Sequence, residues 1–429
     1  MSAFKTVRGM RDFLPEEAKL MRCIESEARK VAGLYGYKEI MTPVVESHEL
    51  LAAKAGEEVR LRMYAFNDLG GRMIALRPEF TPSVARLVAT TFRNEPRPFR
   101  LFCLGSLYRY DEPQKGRYRE FWQSNFELMG SDRPEADAEM LMLTDSLMKA
   151  VGLRNCVFKV GHVGVLRGIL SQEGVKEKTE NDVMQLMDKK QYDDALGLME
   201  EAEASKKCVT TVQSLVKLKG NNVFDVAEKI KKSVASYEKS VVAAENLHEI
   251  LRLILESGCK INMGVEAGFA RGLEYYTGMI FEVYVPELDI ALGGGGRYDR
   301  LIELFGGEPT PAVGIAHGID RITLAMQKQK VPLKVNGEKR VMIIPVKNEL
   351  VGKALEISRM LRDADTPVEV EVMRRKVTKA LEDADRRKMN YAIIVGEREL
   401  KEGAVVIRNL LKREQKTVKI QKVLEALRT

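Results

Sequence analysis

Residues 108–121, YRYDEPQKGRYREF, concentrate positive charge around a Pro-Gln-Lys-Gly segment. Arg109, Lys115, Arg117 and Arg119 all fall within this short stretch. Its flanks, FRLFCLGSL and FWQSNFELMG, are rich in strand-forming residues, which predicts a β-hairpin. Guanidinium groups stay charged and donate paired hydrogen bonds to phosphate or carboxylate oxygens. The hairpin is therefore predicted to hold a polyanion.

Polar and apolar residues alternate along FWQSNFELMG. Because side chains alternate across a strand, Gln123, Asn125 and Glu127 are predicted on one face, and Phe126 and Leu128 on the other. The polar face either floors a cavity lined by hydrogen-bonding groups or is the wet side of a half-exposed strand. Alternation by itself favours the second interpretation.

Two shorter segments bring polar groups next to prolines or aromatic rings. In LRPEFTPS, Glu79 and Thr81 could receive a ligand ammonium, although proline-stiffened loops are also ordinary connectors. In RGLEYYTG, Arg271 precedes Tyr275 and Tyr276, whose flat rings and polar tips can hold a planar ligand. Buried tyrosines at the start of a strand are equally often structural.

The next candidates lie in two glycine-containing segments. GGGGRYDRL lacks the spacing of a Walker A loop and of a dinucleotide fingerprint. It predicts either a strand that another backbone or a ligand approaches closely, or a tight bend. The segment from about residue 312 to residue 328 is predicted to be helical, with Gly314, Gly318 and Arg321 on one face. Arg321 would then point to a bound ligand or form an ordinary surface ion pair.

The elements that must position these residues form two predicted domains. Residues 1–330 read as adjacent strands of an antiparallel sheet, interrupted by a helical insertion over 165–260 that is rich in Lys, Glu, Ala, Leu and Met. Residues 331–429 are predicted to be a small α/β domain. Its strands are predicted at 341–346, 367–372, 391–396 and 403–409, and its helices near 349–363, 376–388 and 417–427.

Composition and charge narrow the class of protein. The chain has 429 residues, 45% hydrophobic and 31% charged, which is typical of a globular protein with two or three domains. Residues 331–429 carry 23 Lys and Arg against 15 Asp and Glu, so they hold the whole positive excess of a chain with net charge +7. This distribution fits a module that meets a phosphate backbone, or equally a solvated basic surface.

Cysteine and histidine spacing gives no metal or disulfide signal. The five cysteines are irregularly spaced, no CxxC pair occurs, and the four histidines are scattered. No apolar run is long enough to cross a bilayer, and the N-terminus lacks the apolar stretch of a signal peptide. We therefore expect a cytoplasmic protein without a membrane segment or a protein-ligated metal site.

Taken in order, the motifs resemble those of class II aminoacyl-tRNA synthetases, and specifically of the histidyl-tRNA synthetase family. The similar segments are KEIMTPVVES (motif 1), LRPEFT (the Arg-Pro-Glu-Gly-Thr loop), LYRYDEPQKGRYREFWQSNFELMG (motif 2), RGLEYYTG (the histidine-specific signature) and VGIAHGIDRI (motif 3). The resemblance covers nearly the whole chain. It implies an α+β fold, with an antiparallel-sheet catalytic domain, a helical insertion and a C-terminal α/β anticodon-binding domain.

The same resemblance implies roles for individual residues. Arg271 and Arg109 are implied as the catalytic arginines, with Arg271 at the α-phosphate. The implied histidine-binding residues are Glu79, Phe80, Thr81, Gln123, Glu127, Arg271, Tyr275 and Tyr276. The implied ATP-binding residues are Arg109, Asp111, Arg117 and Arg321.

Four positions differ from the usual family pattern. Asp111 and Glu112 stand where motif 2 usually has Glu and Arg. Phe80 stands where glycine is common, and Glu274 stands where Asp is usual. None of these differences removes a cation that the resemblance assigns to phosphate.

The implied reaction is the ATP-dependent ligation of histidine to tRNA(His). Histidine and ATP first give histidyl-adenylate and pyrophosphate, with Mg²⁺ bridging the phosphates, and the histidyl group then moves to the tRNA. A homodimer is implied, with Pro43 near its interface. The main alternative is the non-catalytic regulatory subunit of ATP phosphoribosyltransferase, which shares the core fold. A threonyl- or prolyl-tRNA synthetase is a weaker alternative, disfavoured by Glu127 and the tyrosine pair.

Overall fold

A computed structural model describes residues 4–53, 56–271, 274–332 and 340–428. The chain divides into two compact units, Met1–Leu333 (unit 1) and Lys334–Thr429 (unit 2). In the part of the chain that the structure describes, no helix combines the length and the apolar character needed to cross a bilayer.

Unit 1 is organised around a large sheet. Its strands, numbered in chain order over the described residues, are β1 Lys38–Glu39, β2 Val45–Ser47, β3 Ala65–Asn67, β4 Met73–Leu76, β5 Phe99–Tyr108, β6 Glu120–Met129, β7 Val157–His162, β8 Lys219–Gly220, β9 Met263–Glu266, β10 Met279–Val285, β11 Leu288–Arg297 and β12 Ala312–Gly318. Nine of them form one sheet in the order β1-β5-β6-β12-β11-β10-β7-β9-β8. From β5 to β7 every neighbouring pair is antiparallel, which confirms the predicted α+β class. Strands β2, β4 and β3 form a separate small sheet.

Helices surround this sheet. In chain order they are α1 Pro15–Leu34, α2 His48–Ala52, α3 Glu57–Leu61, α4 Thr81–Thr90, α5 Pro134–Ala150, α6 Val163–Gln172, α7 Glu177–Asp188, α8 Tyr192–Glu201, α9 Lys206–Leu215, α10 Val223–Ser233, α11 Glu238–Glu256, α12 Leu301–Leu304 and α13 Ile319–Lys328. The run from α6 to α11 occupies most of the segment predicted as a helical insertion. Within it, short strand β8 joins the edge of the large sheet, a feature that its two-residue length hides in the sequence.

Local sequence explains the central elements. Pro15 opens α1 at a position where a missing N–H costs nothing, and Leu20, Ile24 and Ala28 bury one face of the helix at three- and four-residue steps. Strands β5 and β6 pair over their full lengths as the predicted hairpin, from Phe99 opposite Met129 to Tyr108 opposite Glu120.

The predicted helix over 312–328 is wrong in its first half. Ala312–Gly318 is strand β12, which pairs with both β6 and β11, and the helix begins only at Ile319. Gly314 and Gly318 therefore do not share a helix face with Arg321. The segment AVGIAHG lies in the middle of the sheet, where a strand is covered on both sides, and such a strand has no clear alternating pattern.

Unit 2 is a five-stranded sheet with helices on both faces. Its strands are β13 Val341–Pro345, β14 Val368–Val370, β15 Tyr391–Val395, β16 Ala404–Asn409 and β17 Glu414–Lys419, in the order β14-β13-β15-β16-β17. Its helices are α14 Val351–Arg362, α15 Val377–Arg386, α16 Glu397–Lys401 and α17 Val423–Arg428. Leu361 of α14 and Val423 of α17 pack in one core, and Ala380 of α15 packs in the other.

The end of unit 2 differs from the prediction of a helix over 417–427. Residues 414–419 form β17, and α17 begins only at Val423. Strand β17 is an exposed edge strand rich in charged and polar residues, the composition that discourages edge-to-edge association. That composition resembles a solvated helix face, so the sequence pattern did not reveal a strand.

Candidate active site

A cavity of about 320 Å³ lies over the central strands of unit 1. Strands β6, β11 and β12 contribute to its walls through Glu127, Gly294 and Gly314, and the turn of the β5–β6 hairpin contributes Arg117. Of the residues implied by the resemblance, all except Phe80 line this cavity, which brings together positions from residue 79 to residue 321. The polar face of β6 therefore floors a cavity, the less favoured of the two interpretations of its alternation.

Phe80 lies elsewhere. Its side chain is buried in the core of unit 1, and the Arg77 guanidinium stacks on its ring at 4.4 Å. Phe80 thus packs into the core although its sequence neighbours Glu79 and Thr81 line the cavity, and its implied contact with histidine stays a prediction.

One end of the cavity holds two buried carboxylates with hydroxyl donors. Thr81 donates from Oγ1 to Oε1 of Glu127 at 2.7 Å, and Tyr298 donates to the other oxygen of Glu127. Tyr275 donates to Oε2 of Glu79 at 3.0 Å. Within the described part of the chain, Oε1 of Glu79 is buried with no hydrogen-bond partner. A buried carboxylate oxygen left open in this way can accept a hydrogen bond from a cationic ligand.

Burial sets the protonation of these carboxylates. It raises the pKa of Glu127 to about 7, an effect that the nearby charge of Glu79 increases and the hydrogen bonds from Tyr298 and Thr81 oppose. Burial also raises the pKa of Glu79, although Arg109 and the Tyr275 hydroxyl favour its charged form. A positively charged ligand would relieve the cost of ionising both groups.

Aromatic rings enclose the same end. The rings of Tyr275 and Tyr276 are 5.0 Å apart, and Tyr298 meets Tyr275 edge to face at 5.6 Å. Burial raises the pKa of Tyr276 to about 12, so its hydroxyl remains a hydrogen-bond donor at neutral pH. Gln123 lines the cavity from β6, as its strand position predicts. This end can accommodate a small planar polar group.

We call the part of the cavity lined by Arg109, Arg117, Arg271 and Arg321 the arginine end; Arg109 and Arg271 are close enough to Glu79 to favour its charged form. Arg109 donates from Nε to the carbonyl oxygen of Pro78 at 2.9 Å. Arg321 donates to the carbonyl oxygens of Ala291 at 2.8 Å and Gly116 at 3.2 Å. These backbone contacts hold each guanidinium in place, and among the described residues neither arginine forms an ion pair with a carboxylate.

The arginines also act on one another. Burial lowers the pKa of Arg321, and the positive charges of Arg109, Arg117 and Arg271 lower it further. Such mutual repulsion means that four guanidiniums face one space. A bound polyanion is the ligand that would stabilise this arrangement.

Arg271 is the most enclosed of these cations. It donates from Nη1 to Oε1 of Glu282 at 2.7 Å, and its guanidinium lies 5.9 Å from the ring of Tyr276. Burial lowers its pKa, but the acidic groups around it, chiefly Tyr276 and Glu282, outweigh burial and leave the pKa of Arg271 raised. Arg271 therefore remains fully charged.

Asp111 lies in the loop between β5 and β6 and contacts two arginines. One of its oxygens accepts a hydrogen bond from Arg62 at 2.9 Å, and the other lies 3.7 Å from Nε of Arg117. Asp111 thus orients one of the cavity arginines, and its shorter side chain keeps contact with the hairpin.

Two glycines leave room for charged side chains. A methyl group at Gly314 would lie 1.8 Å from Oε2 of Glu127, and one at Gly294 would lie 1.9 Å from Nη1 of Arg271. Both distances are far below van der Waals contact. The glycines in β11 and β12 are therefore needed because side chains from other elements occupy that space.

Several cavity residues were not among the predicted site residues. Tyr298, Glu282 and Asp188 line the cavity, together with Trp122 and Asp320. Tyr298 directly follows the glycine-rich strand, which is the one local signal that could have identified it. No group of three His, Cys, Asp or Glu side chains is placed to hold a metal ion among the residues that the structure covers.

Comparisons with known proteins agree with this geometry. A family model described as histidyl-tRNA synthetase matches residues 9–322, and one described as an anticodon binding domain matches residues 340–429. Histidine–tRNA ligase of Methanocaldococcus jannaschii is 43% identical over 422 residues, covering 98% of both chains.

Solved structures are also similar. A crystal structure of apo histidyl-tRNA synthetase from S. aureus has a TM-score of 0.70 at 25% identity, covering 99% of this chain and 100% of that chain. A Bacillus halodurans structure titled as an ATP phosphoribosyltransferase regulatory subunit/histidyl-tRNA synthetase has a TM-score of 0.76 at 25% identity, covering 89% and 97%. With a family model that spans most of unit 1 and a relative that aligns over almost the full length, this chain belongs to the histidyl-tRNA synthetase family.

Proposed function

We propose that this protein is a histidine–tRNA ligase, which activates L-histidine with ATP and transfers the histidyl group to the 3′ end of tRNA(His). One observation supports this most directly: the buried carboxylates of Glu79 and Glu127 line the same cavity as Arg109, Arg117, Arg271 and Arg321. The carboxylate end fits the cationic α-ammonium group and the planar imidazole of histidine. The arginine end fits the triphosphate of ATP.

Histidine binds at the carboxylate end in this proposal. The α-amino group lies against Glu79, Thr81 and Gln123, where the open oxygen of Glu79 accepts one of its N–H groups. The imidazole faces Tyr275 and Tyr276 and hydrogen-bonds Glu127. A site built to pair a polar side chain discriminates strongly against amino acids that lack it, because its buried polar groups would remain unpaired.

Adenylate formation needs positioning and charge stabilisation more than proton transfer. The histidine carboxylate is ionised at neutral pH, so it attacks the α-phosphorus of ATP without a general base, and pyrophosphate leaves. Arg271 stabilises the charge on the α-phosphate. Arg109 and Arg321 hold ATP, supported by Arg117 and Asp111.

Magnesium is proposed to enter with ATP. Glu282 and Asp188 are carboxylates that line the cavity and act on Arg271, so they are suitable oxygen ligands. With no three-residue metal cluster in the described residues, most ligands would come from phosphate oxygens and water. When bound, the ion would neutralise charge on the leaving pyrophosphate.

Unit 2 is proposed to bind the tRNA anticodon. The family match to residues 340–429 and the excess of cations after residue 331 support this assignment. After β14, the buried Glu371 accepts the N–H of Met373 at 2.6 Å and so fixes a loop. That loop exposes Met373 and Arg374, an apolar surface and a cation that suit an unstacked base and its phosphate.

A homodimer is proposed from the surface of the small sheet in unit 1. Val45 and Phe66 are exposed on one face of this sheet, and Met41 is exposed beside it. An apolar surface of this kind marks a protein–protein contact. Pro43, implied at the interface by the motif 1 resemblance, lies between Met41 and Val45 in the sequence. A cytoplasmic location is proposed on the basis of the function.

The test is ATP–pyrophosphate exchange across the amino acids. Exchange should require histidine, and Arg271→Ala should lower its rate by roughly 10²–10³-fold because a charge-stabilising donor is lost. Arg93→Ala, an exposed arginine paired with Glu308, is the matched control and should leave exchange unchanged.

Three outcomes would contradict parts of this proposal. Exchange with proline or threonine but not histidine would assign another substrate. Absence of exchange in a folded protein would favour the regulatory-subunit alternative. Near-normal single-turnover activation by the Arg271→Ala variant would refute the role of Arg271 alone.

A further inference from the structure

The segment before helix α1 contacts the β5–β6 hairpin, which carries Arg109 and Arg117, and helix α13, which carries Arg321. We call residues 7–13 the N-terminal strap. The carbonyl oxygen of Gly9 accepts the N–H of Arg119 at 2.9 Å, and the carbonyl oxygen of Arg119 accepts the N–H of Arg109 at 3.0 Å. Arg119 therefore links the backbone of the strap to the backbone of Arg109, one of the cavity arginines.

Arg11 makes the most extensive contacts of the strap. Its guanidinium lies over the ring of Tyr118, 3.3 Å from the centroid, and 4.7 Å from that of Phe13. Its Nη2 donates to Oδ1 of Asp320, and its Nη1 lies 3.6 Å from Glu17. Arg11 thus joins the β5–β6 hairpin to the first turn of α13.

Both groups that Arg11 joins line the cavity. Asp320 accepts the backbone N–H of Trp122 at 2.7 Å through its second oxygen, and it directly precedes Arg321. Tyr118 directly follows Arg117. Phe13 packs edge to face on Trp122 at 5.0 Å, which adds an apolar contact to the same junction. Arg11 itself does not line the cavity.

We propose that Arg11 is a positioning residue for ATP: it clamps Tyr118 of the hairpin to Asp320 of α13 and thereby keeps Arg117 and Arg321 at the separation that the nucleotide requires. The inference rests on the proposed function for the identity of the nucleotide. The physical reason is charge repulsion: Arg117 lowers the pKa of Arg321, and the clamp reinforces the hydrogen bond from Arg321 to the carbonyl oxygen of Gly116 before ATP arrives.

The proposal predicts different effects on the binding of ATP and of histidine. The two cavity residues that Arg11 contacts, Tyr118 and Asp320, directly follow Arg117 and precede Arg321, respectively. Glu79 and Glu127 are instead held by Thr81, Tyr275 and Tyr298. Loss of Arg11 should therefore weaken ATP binding and leave histidine binding intact. A residue that only stabilised the fold would affect both substrates alike.

The experiment compares three variants of the full chain. Arg11→Ala removes both contacts, and Arg11→Lys keeps a charge for Asp320 but loses the planar group over Tyr118. Arg8→Ala is the control from the same strap, because Arg8 pairs with Glu112 where both side chains are largely in solvent. For each, the KM for ATP and for histidine is measured by pyrophosphate exchange, and the Kd for ATP by calorimetry.

We expect Arg11→Ala to raise the KM and Kd for ATP about tenfold or more, as for the loss of one charge-assisted hydrogen bond, with the KM for histidine within about twofold of wild type. Arg11→Lys should fall between Arg11→Ala and wild type, and Arg8→Ala should match wild type.

Two results would overturn the inference. One is an unchanged Kd for ATP in Arg11→Ala; the other is an equal rise in both KM values accompanied by a lower melting temperature. If the wild-type protein bound ATP but failed to exchange with histidine, the proposed function would fail, whereas the calorimetric comparison would still test the role of Arg11.

Discussion

Glu79 and Glu127 lie at one end of the cavity, and their burial carries a cost that a ligand can relieve. Each has hydroxyl donors, but within the described residues neither forms an ion pair with a cation, and the charge of Glu79 raises the pKa of Glu127. An apo site with two such carboxyls is less stable when both are ionised. Bound histidine, with its ammonium and imidazole, would compensate this charge.

The raised pKa of Glu127 predicts how stability changes with pH. Below its ordinary pKa of 4.5 the carboxyl is protonated in the folded and unfolded chain alike. Between pH 4.5 and about 7 the unfolded chain releases the proton first, so the folded apo protein loses stability as pH rises, by on the order of 3 kcal/mol. Glu127→Gln removes this titration, so its melting temperature should rise relative to wild type between pH 5 and pH 8.

Thermal melting of both proteins without ligands measures this difference. A constant offset between Glu127→Gln and wild type across the pH range would show that Glu127 does not titrate there. Addition of histidine to wild type at pH 8 should recover more stability than at pH 5, because the ligand then meets a charged carboxylate.

At the level of single residues, the sequence predicted one side of the site better than the other. Alternation along β6 placed Gln123 and Glu127 on the face that lines the cavity, because strand periodicity is local. Tyr298, which donates to Glu127 from 171 positions away, has no such signal. Contacts between distant segments depend on the order of strands in the sheet, which a short pattern does not encode.

At the level of elements, β11 and β12 show why glycines lie in the middle of the sheet. The segment over 312–318 was predicted as part of a helix that would place Gly314 and Gly318 on one face. In the structure, Gly314 of β12 makes space for the side chain of Glu127. Gly294 of β11 makes space in the same way for the side chain of Arg271. The requirement arises from a packed neighbour, so it becomes visible only when the strands are paired.

Gly294→Ala tests this requirement. The added methyl group would lie 1.9 Å from Nη1 of Arg271 and must displace the guanidinium. A shift of about 1 Å in a positioned group can cost on the order of 10²-fold in rate, so we expect such a loss in the exchange kcat. The matched control is Gly197→Ala in helix α8, where a methyl group meets nothing within 4 Å. Equal exchange rates in both variants would contradict the role of Gly294.

At the level of the whole molecule, the fold of unit 2 was easier to predict from the sequence than the fold of unit 1. The α/β alternation of unit 2 and its charge were visible in the sequence, apart from the edge strand β17, whose polar residues resemble a helix face. The large sheet of unit 1 was predicted as antiparallel, but its strand order was not. Its central strands come from both sides of a long helical segment, and no local pattern states which strands become neighbours.

The apolar surface of the small sheet predicts the assembly state. Val45 of β2 and Phe66 of β3 lie on the same face of this sheet, on either side of β4, with 40% and 46% of their surface exposed. Burying such a surface in a symmetric contact is favourable by the hydrophobic effect, so the protein should be a dimer of twice 48.4 kDa in solution.

Glu substituted at both positions would place charge in that contact and should give a monomer by sedimentation velocity. Leu355→Glu, at a half-exposed apolar position on α14 of unit 2, should remain dimeric. A monomeric wild-type protein at micromolar concentration, or a dimeric Val45→Glu/Phe66→Glu variant, would show that this surface is not the interface.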